Sequence, residues 1–333
     1  MHVVTAIAFL NCCVSMGLIT ATALYGLWHY SDNLQLVIIL LAIVKIVSAI
    51  LFLFWPYIQW KLEKSFPGRD LCNCSEKDEI SILSRLNSPP TCDLSVVVPA
   101  FNEEERLPIM LKETVSYLKS RKDLSWEIIV VNDGSKDRTT EVALQFPQVQ
   151  ALTLARNNGK GGAVRIGVLA SRGKSILMVD ADGATRFADY ANLEKASLNF
   201  QVVFGSRHHL QESEAVAKRN VLRNVLMHAF HFLVSLIVGT SVKDTQCGFK
   251  LFSREAARKL FPGLHLRRWA FDIELVVLCR ILNLEISEVP VNWMEIAGSK
   301  LNIISGSIQM LRDMTAVRLF YFLGLWTARS KLD

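Results

Sequence analysis

Ser175-Ile176-Leu177-Met178-Val179-Asp180-Ala181-Asp182 is a short aliphatic run that ends in two carboxylates, one residue apart. A run of this length suits a buried strand, and acids at its end would present oxygen ligands at the carboxyl edge of a sheet, where open α/β folds bind their ligands. Acidic residues also flank strands as plain solvated turns, so the reading rests on the neighbours. Further aliphatic or β-branched runs occupy residues 94–98, 127–131, 149–154 and 202–204, and helical stretches lie between them near 104–121, 136–146, 160–171 and 189–199. Strand and helix in alternation predict an α/β fold with a mainly parallel, doubly wound sheet.

Each of the first strands ends in polar groups. The first opens into Pro99-Ala100-Phe101-Asn102-Glu103-Glu104-Glu105, which reads either as a ligand-binding turn or as a helix start capped by Asn102 with acids complementing the dipole. The second ends in Asn132-Asp133-Gly134-Ser135, where Asp133 could accept from the imide N–H of a uracil, or simply make an Asp-Gly turn. After the third comes Arg156-Asn157-Asn158-Gly159-Lys160-Gly161-Gly162, a glycine-rich helix start whose exposed N–H groups would attract phosphate. It is not a P-loop, because Gly161 and Gly162 stand where Ser or Thr should follow the lysine. Singly these are weak signals; together, on one edge, they outline a site for a nucleotide diphosphate and a divalent metal.

The chain is long enough for one sizeable α/β domain and an additional piece. Residues 3–28 carry no charge and residues 34–60 carry only Lys45, and each exceeds the roughly 20 apolar residues that cross a bilayer. They predict a membrane anchor over 1–64, a two-helix hairpin turning at Ser31-Asp32-Asn33, with one span plus a looser apolar segment as the main alternative and a cleaved signal peptide as a rival for the first segment. Lys61, Lys64 and Arg69 follow the second span, so the positive-inside bias puts the rest of the chain in the cytosol. A linker is expected over 65–93, with Pro67-Gly68 and Pro89-Pro90, and the main domain over 94–333. Seven cysteines, an odd number without zinc-site spacing, indicate neither a disulfide framework nor a metal centre. A net charge of +6 without a Lys/Arg tract excludes nucleic acid as the expected partner and suits anionic lipid and anionic substrates.

With these residues in place, the chain resembles the inverting glycosyltransferases of family 2, which have the Rossmann-like GT-A fold. The first-half segments that carry the likeness are Val97-Val98-Pro99-Ala100-Phe101-Asn102-Glu103, Val131-Asn132-Asp133-Gly134-Ser135 and Asp180-Ala181-Asp182. More specific are Gly205-Ser206-Arg207, Asp244-Thr245-Gln246-Cys247-Gly248-Phe249-Lys250-Leu251-Phe252, Arg268-Trp269-Ala270-Phe271-Asp272-Ile273-Glu274, Val291-Asn292-Trp293 and Gly298-Ser299-Lys300, over a match of about residues 94–326. These resemble the members that transfer glucose to a polyprenyl phosphate. The resemblance implies UDP-glucose as donor, dolichyl phosphate as acceptor and the cytosolic face of the endoplasmic reticulum membrane as location. It implies Asp180 and Asp182 as holders of Mg²⁺ or Mn²⁺, and Pro99, Ala100, Phe101, Asn102, Glu103, Asp133, Lys160, Asp180 and Gln246 as donor-binding residues. Asp272 and Glu274 would hold sugar hydroxyls, although both also fit as dipole partners in a helix over 270–283.

Arg207, Arg219, Arg223 and Lys300 are the cations expected at the lipid phosphate, with Arg219 and Arg223 four apart on one helical face. Residues 225–238 carry no formal charge, so a helix over about 215–239 is either core or membrane interface, and the stretch 301–326 reads similarly. Two other readings stay open at this level: transfer of another sugar to the same lipid, such as mannose from a GDP donor, and a non-catalytic membrane scaffold that keeps the nucleotide fold.

Overall fold

The computed structural model describes residues 34–65, 70–71, 75–209, 242–296 and 303–328. The first candidate span, the helix expected over 215–239, Arg219, Arg223 and Lys300 lie outside them. The chain divides into two units, at Trp55 and Pro56. In the first, helix α1 (Leu34–Ser65) begins with exposed Ile39, Ile43, Ile46 and Ile50. Its stretch Leu41–Leu62, with a mean hydropathy of 2.1 and almost none of it buried, is long and apolar enough to cross a membrane.

Among the described residues of the second unit, one sheet has seven strands: β1 (Cys92–Ala100), β2 (Trp126–Asn132), β3 (Val149–Thr153), β4 (Gly173–Val179), β5 (Val202–Ser206), β6 (Phe249–Ser253) and β7 (Ile286–Pro290). Their order is β3-β2-β1-β4-β6-β5-β7. Pairings β1/β2, β1/β4, β2/β3 and β5/β7 are parallel, whereas β6 runs antiparallel between β4 and β5. The sheet is therefore mixed and mostly parallel. The antiparallel strand went unseen in the sequence because its five residues sit inside a segment read for its chemistry.

Period-two alternation sends neighbouring residues of one strand to opposite faces. Val96, Val98, Ile128 and Val130 join the core under helix α3 (Leu107–Ser120), together with Met110, Leu111 and Leu118. Ile129 and Val131 face the other way, onto Ala163, Ile166 and Ala170 at helix α5 (Lys160–Leu169), the partner of the short helix α4 (Thr139–Leu144) in the β2–β4 crossovers. Helix α6 (Tyr190–Ser197) covers β5 and β6. Each fully buried Val or Leu contributes about 1.5–3 kcal/mol, which is why a strand with no water-facing side becomes a run of aliphatics.

Described residues within the region expected to be a linker are bonded to the domain. Helix α2 (Glu76–Leu83) places Glu79 Oε1 to accept from the amides of Asp70 (2.8 Å) and Leu71 (3.2 Å), and Leu71 pairs with Leu154. From helix α7 (Arg254–Leu260), Arg254 donates to the carbonyls of Gly173 (2.7 Å) and Ser88 (2.8 Å), and Arg258 to that of Leu86 (2.8 Å). Buried carbonyls of an irregular segment need such donors, and two arginines supply them. Helix α8 (Phe271–Ile281) packs against the last helix, α9 (Ile303–Phe322), whose Met314, Ala316, Val317 and Phe320 are buried while Leu311 and Phe322 are exposed. Next to it, Trp326 stacks on His265 at 4.3 Å, with Trp60 4.9 Å from the same imidazole.

Candidate active site

A cleft of about 470 Å³ opens at the carboxyl ends of β1, β2 and β4. Pro99, Ala100, Phe101, Glu103, Asp133, Lys160, Asp180 and Asp182 line it, so the structure brings together most of the residues expected to hold a nucleotide and a cation. The volume suits a ligand of nucleotide-sugar size.

At its centre Lys160 Nζ lies 2.6 Å from Asp180 Oδ1. Burial alone would lower the Lys160 ammonium, but Asp180, Asp272 and Asp182 outweigh it and hold it above its ordinary value. Burial, then the charge of Asp180, raises the Asp182 carboxyl, against the Ala184 amide it accepts from at 3.0 Å. Two carboxylates one residue apart in a cleft form an acceptor-only pair that calls for a cation. Among the described residues no cluster of three His, Cys, Asp or Glu side chains exists to hold a metal alone. Mg²⁺ or Mn²⁺ held by one or two carboxylates with substrate phosphates and water is the arrangement that fits such a pair.

Asp180 is fixed from behind. Its amide donates to the Gly248 carbonyl at 3.0 Å, and a side chain on Gly248 would overlap the Asp180 carboxylate. Gly248→Ala is therefore expected to push that carboxylate aside, lowering kcat about a hundredfold with little change in thermal stability, since a displacement of about 1 Å at a reacting centre can have that effect. Steady-state kinetics beside an unfolding curve check this; unchanged kcat would mean that the placement of Asp180 is immaterial.

Several of the expected site residues are held by contacts within the chain. Asp133 lines the cleft, yet its two oxygens accept from the amides of Asn158 (2.6 Å) and Gly159 (2.8 Å), so it anchors the glycine-rich loop. Burial pushes its carboxyl up to about 6, opposed by those two amides. The loop itself is not an open phosphate cradle: the Gly162 amide donates to the Arg267 carbonyl at 2.9 Å, and a Cβ on Gly161 would stand 2.6 Å from Phe271 Cβ. Its glycines permit close approach to residues 266–271. Asn102, with φ 55°, takes its amide to Ser135 Oγ (2.9 Å) and its Oδ1 to the Lys136 amide (2.8 Å), which ties the two turns together outside the cleft lining.

Asp272 and Glu274 are structural in their contacts. Lys250, fully buried, donates to Asp272 Oδ1 at 2.7 Å and to the Cys247 carbonyl at 2.6 Å. Glu274, with no exposure, accepts from the amides of His265 (3.0 Å) and Leu266 (2.6 Å) and from Tyr321 OH (2.8 Å). The helix-start position that suggested dipole complement is right for both, but the partners are tertiary. Gln246 donates from Nε2 to Met310 Sδ at 3.4 Å and is not among the lining residues. Arg207 grips Asp244 through Nε (2.8 Å) and Nη2 (2.9 Å) beneath the Trp293 ring, so its charge is already matched. Sequence reasoning gave no role to Arg106, Asn157, Arg268, Trp269 and Trp293, which all line the cleft. Three of them, Arg268, Trp269 and Trp293, lie within segments quoted above for their likeness to a family; a Trp beside an Arg in such a segment was the available signal.

Comparison with known proteins identifies the family. A family model described as "Glycosyl transferase family 2" matches residues 95–261. Among solved structures, glucosyl-3-phosphoglycerate synthase from Mycobacterium tuberculosis in complex with UDP superposes with a TM-score of 0.53 at 18% identity, over 72% of this chain and 84% of that one. The same synthase in complex with Mn²⁺, UDP and phosphoglyceric acid gives 0.50 at 19% identity, over 72% and 82%. Fold and family model thus define a GT-A glycosyltransferase. Proteins named dolichyl-phosphate beta-glucosyltransferase are far nearer in sequence: 48% identical in Dictyostelium discoideum (75% of this chain, 81% of that one), 46% in Homo sapiens (75% and 82%) and 41% in Saccharomyces cerevisiae (72% and 78%). The chain belongs to glycosyl transferase family 2, among its dolichyl-phosphate beta-glucosyltransferases.

Proposed function

We infer that this chain transfers glucose from UDP-glucose to dolichyl phosphate with inversion, giving the β-linked lipid-phosphate sugar used in N-glycosylation. The observation that carries the reading is the 41–48% identity to relatives of that one name across about three quarters of the chain. In the reaction, an acceptor phosphate oxygen forms a bond to the anomeric carbon as the bond from that carbon to the UDP oxygen breaks. A phosphate monoester has a second pKa of about 6, so near neutral pH the acceptor is largely dianionic and attacks without losing a proton to the protein. The burial of Asp272 and Glu274 in other contacts therefore removes nothing the chemistry requires. Charge grows on the departing diphosphate, where Lys160 and Arg268 line the cleft. Asp180 and Asp182 would hold the Mg²⁺ or Mn²⁺, which supplies Lewis-acid stabilisation of that leaving group when bound.

Incubating the purified full-length chain with a panel of radiolabelled nucleotide sugars and dolichyl phosphate tests the reading. Label passing into lipid from UDP-glucose alone supports it, and label from GDP-mannose overturns the donor assignment. For the acceptor, Arg219→Ala or Arg223→Ala is expected to raise KM for dolichyl phosphate roughly ten- to a hundredfold, as removal of one charge-assisted hydrogen bond would, and KM for UDP-glucose far less. Equal effects on both substrates would count against a dedicated phosphate clamp. The location follows from the same reading: the endoplasmic reticulum membrane, with the main domain on the cytosolic side, as Lys61 and Lys64 after the apolar span suggest. Complete digestion of the domain by protease added to sealed microsomes is the expected result, and a protected domain would reverse the sidedness.

A further inference from the structure

Lys160 stands in an unusual place for a donor-binding cation. Its ammonium lies on Asp180 Oδ1 at 2.6 Å, in the cleft where the acceptor-only pair of Asp180 and Asp182 calls for a cation. Of the two lysines in this charge cluster, Lys250 is committed, since it is fully buried and bonded to Asp272 and the Cys247 carbonyl. Lys160 still reaches water, its side chain being 15% exposed, and the Trp269 ring, 5.7 Å from the ammonium, is itself 41% exposed. The backbone beneath it is pinned by the Asp133–Gly159 and Gly162–Arg267 hydrogen bonds, so a long, flexible stem turns on a fixed base. A dication entering at Asp180 would meet the ammonium head-on. One of the two positive charges has to give way, and only the lysine can move within the cleft toward the anionic diphosphate.

We propose that Lys160 is a place-holding cation, neutralising Asp180 until a metal–nucleotide complex arrives and then transferring its ammonium to the donor diphosphate. The inference rests on the reading of Asp180 and Asp182 as the cation-binding pair. It makes the cleft a poor binder of metal alone and couples metal entry to donor entry. One residue then has opposite effects on two ligands: it weakens metal binding without nucleotide and strengthens nucleotide binding with metal.

The test titrates full-length purified protein with Mn²⁺ alone, following free Mn²⁺ by electron paramagnetic resonance, and then repeats the titration of UDP at saturating Mn²⁺. Lys160→Gln is expected to bind Mn²⁺ roughly ten- to a hundredfold more tightly than the wild type, the range by which one close opposite charge biases a carboxylate, while its affinity for UDP falls. Lys160→Arg keeps the charge and should bind Mn²⁺ as the wild type does. Lys160→Met gives the same reading as the Gln variant should that variant not fold. Mn²⁺ affinity unchanged or weakened in the uncharged variant, or equally increased in the Arg variant, overturns the place-holder. Asp182→Ala separates the two levels: if it binds Mn²⁺ as well as the wild type, the cation site itself has been misassigned and the inference falls with it.

Discussion

Asp182→Ala is expected to lower turnover roughly a thousandfold, about 4 kcal/mol of transition-state stabilisation, while leaving the protein folded. The carboxylate is held high by burial and by Asp180, so its ionised form is unfavourable without a cation and removing it relieves a repulsion. On the structural side, the Ala184 amide gives up its acceptor, a hydrogen bond of about 1 kcal/mol. Activity and stability should therefore separate. Kinetics at saturating Mg²⁺ and Mn²⁺, with an unfolding curve on the same preparation, make the comparison. A variant retaining most of its turnover would show that the cation is held elsewhere.

Lys250→Met should do the reverse. The ammonium is fully buried, 2.7 Å from Asp272, with the Phe204 ring 4.9 Å away. Burial raises the Asp272 carboxyl first, and Lys250 is the largest influence against it. Removing one partner of such a pair strands the other charge and destabilises by about 3–5 kcal/mol, whereas replacing both by apolar groups is often neutral. The single variant is thus expected to melt several degrees lower, and Lys250→Met combined with Asp272→Leu to recover much of the loss. A single variant as stable as the wild type would mean that water or another group compensates Asp272.

Much of the fold was legible because parallel strands buried on both faces are aliphatic where they cross the core, as residues 96–98 of β1, 128–131 of β2 and 176–179 of β4 are. Strand β6 was not, since Phe249-Lys250-Leu251-Phe252 places a lysine in mid-strand; the buried Asp272 and the Cys247 carbonyl make that lysine tolerable, and no local pattern announces them. The same limit governed the site. Asp133, Asp180 and Asp182 sit at strand ends, which sequence locates well, and all reach the cleft. Asp272 and Glu274 lie in a helix's first turn, where a carboxylate facing substrate and one satisfied by a lysine or by loop amides look alike in sequence. The glycines at 159–162 suggested phosphate because phosphate sites and tight chain crossings use the same residue for the same reason, the missing side chain. Arg268 and Trp269 reach the cleft from a loop with no periodicity to locate it.

The bidentate grip of Arg207 on Asp244 joins the end of β5 to the approach of β6, two strands that are neighbours in the sheet. The amides of Lys243 and Asp244 also donate to Glu288 of β7, at 2.8 Å each, so the approach to β6 is fastened to two strands at once. With two fastenings on one short run, Arg207 to Asp244 and Glu288 to the Lys243 and Asp244 amides, loss of either leaves the other gripping, as a gate with two bolts stays shut when one is drawn.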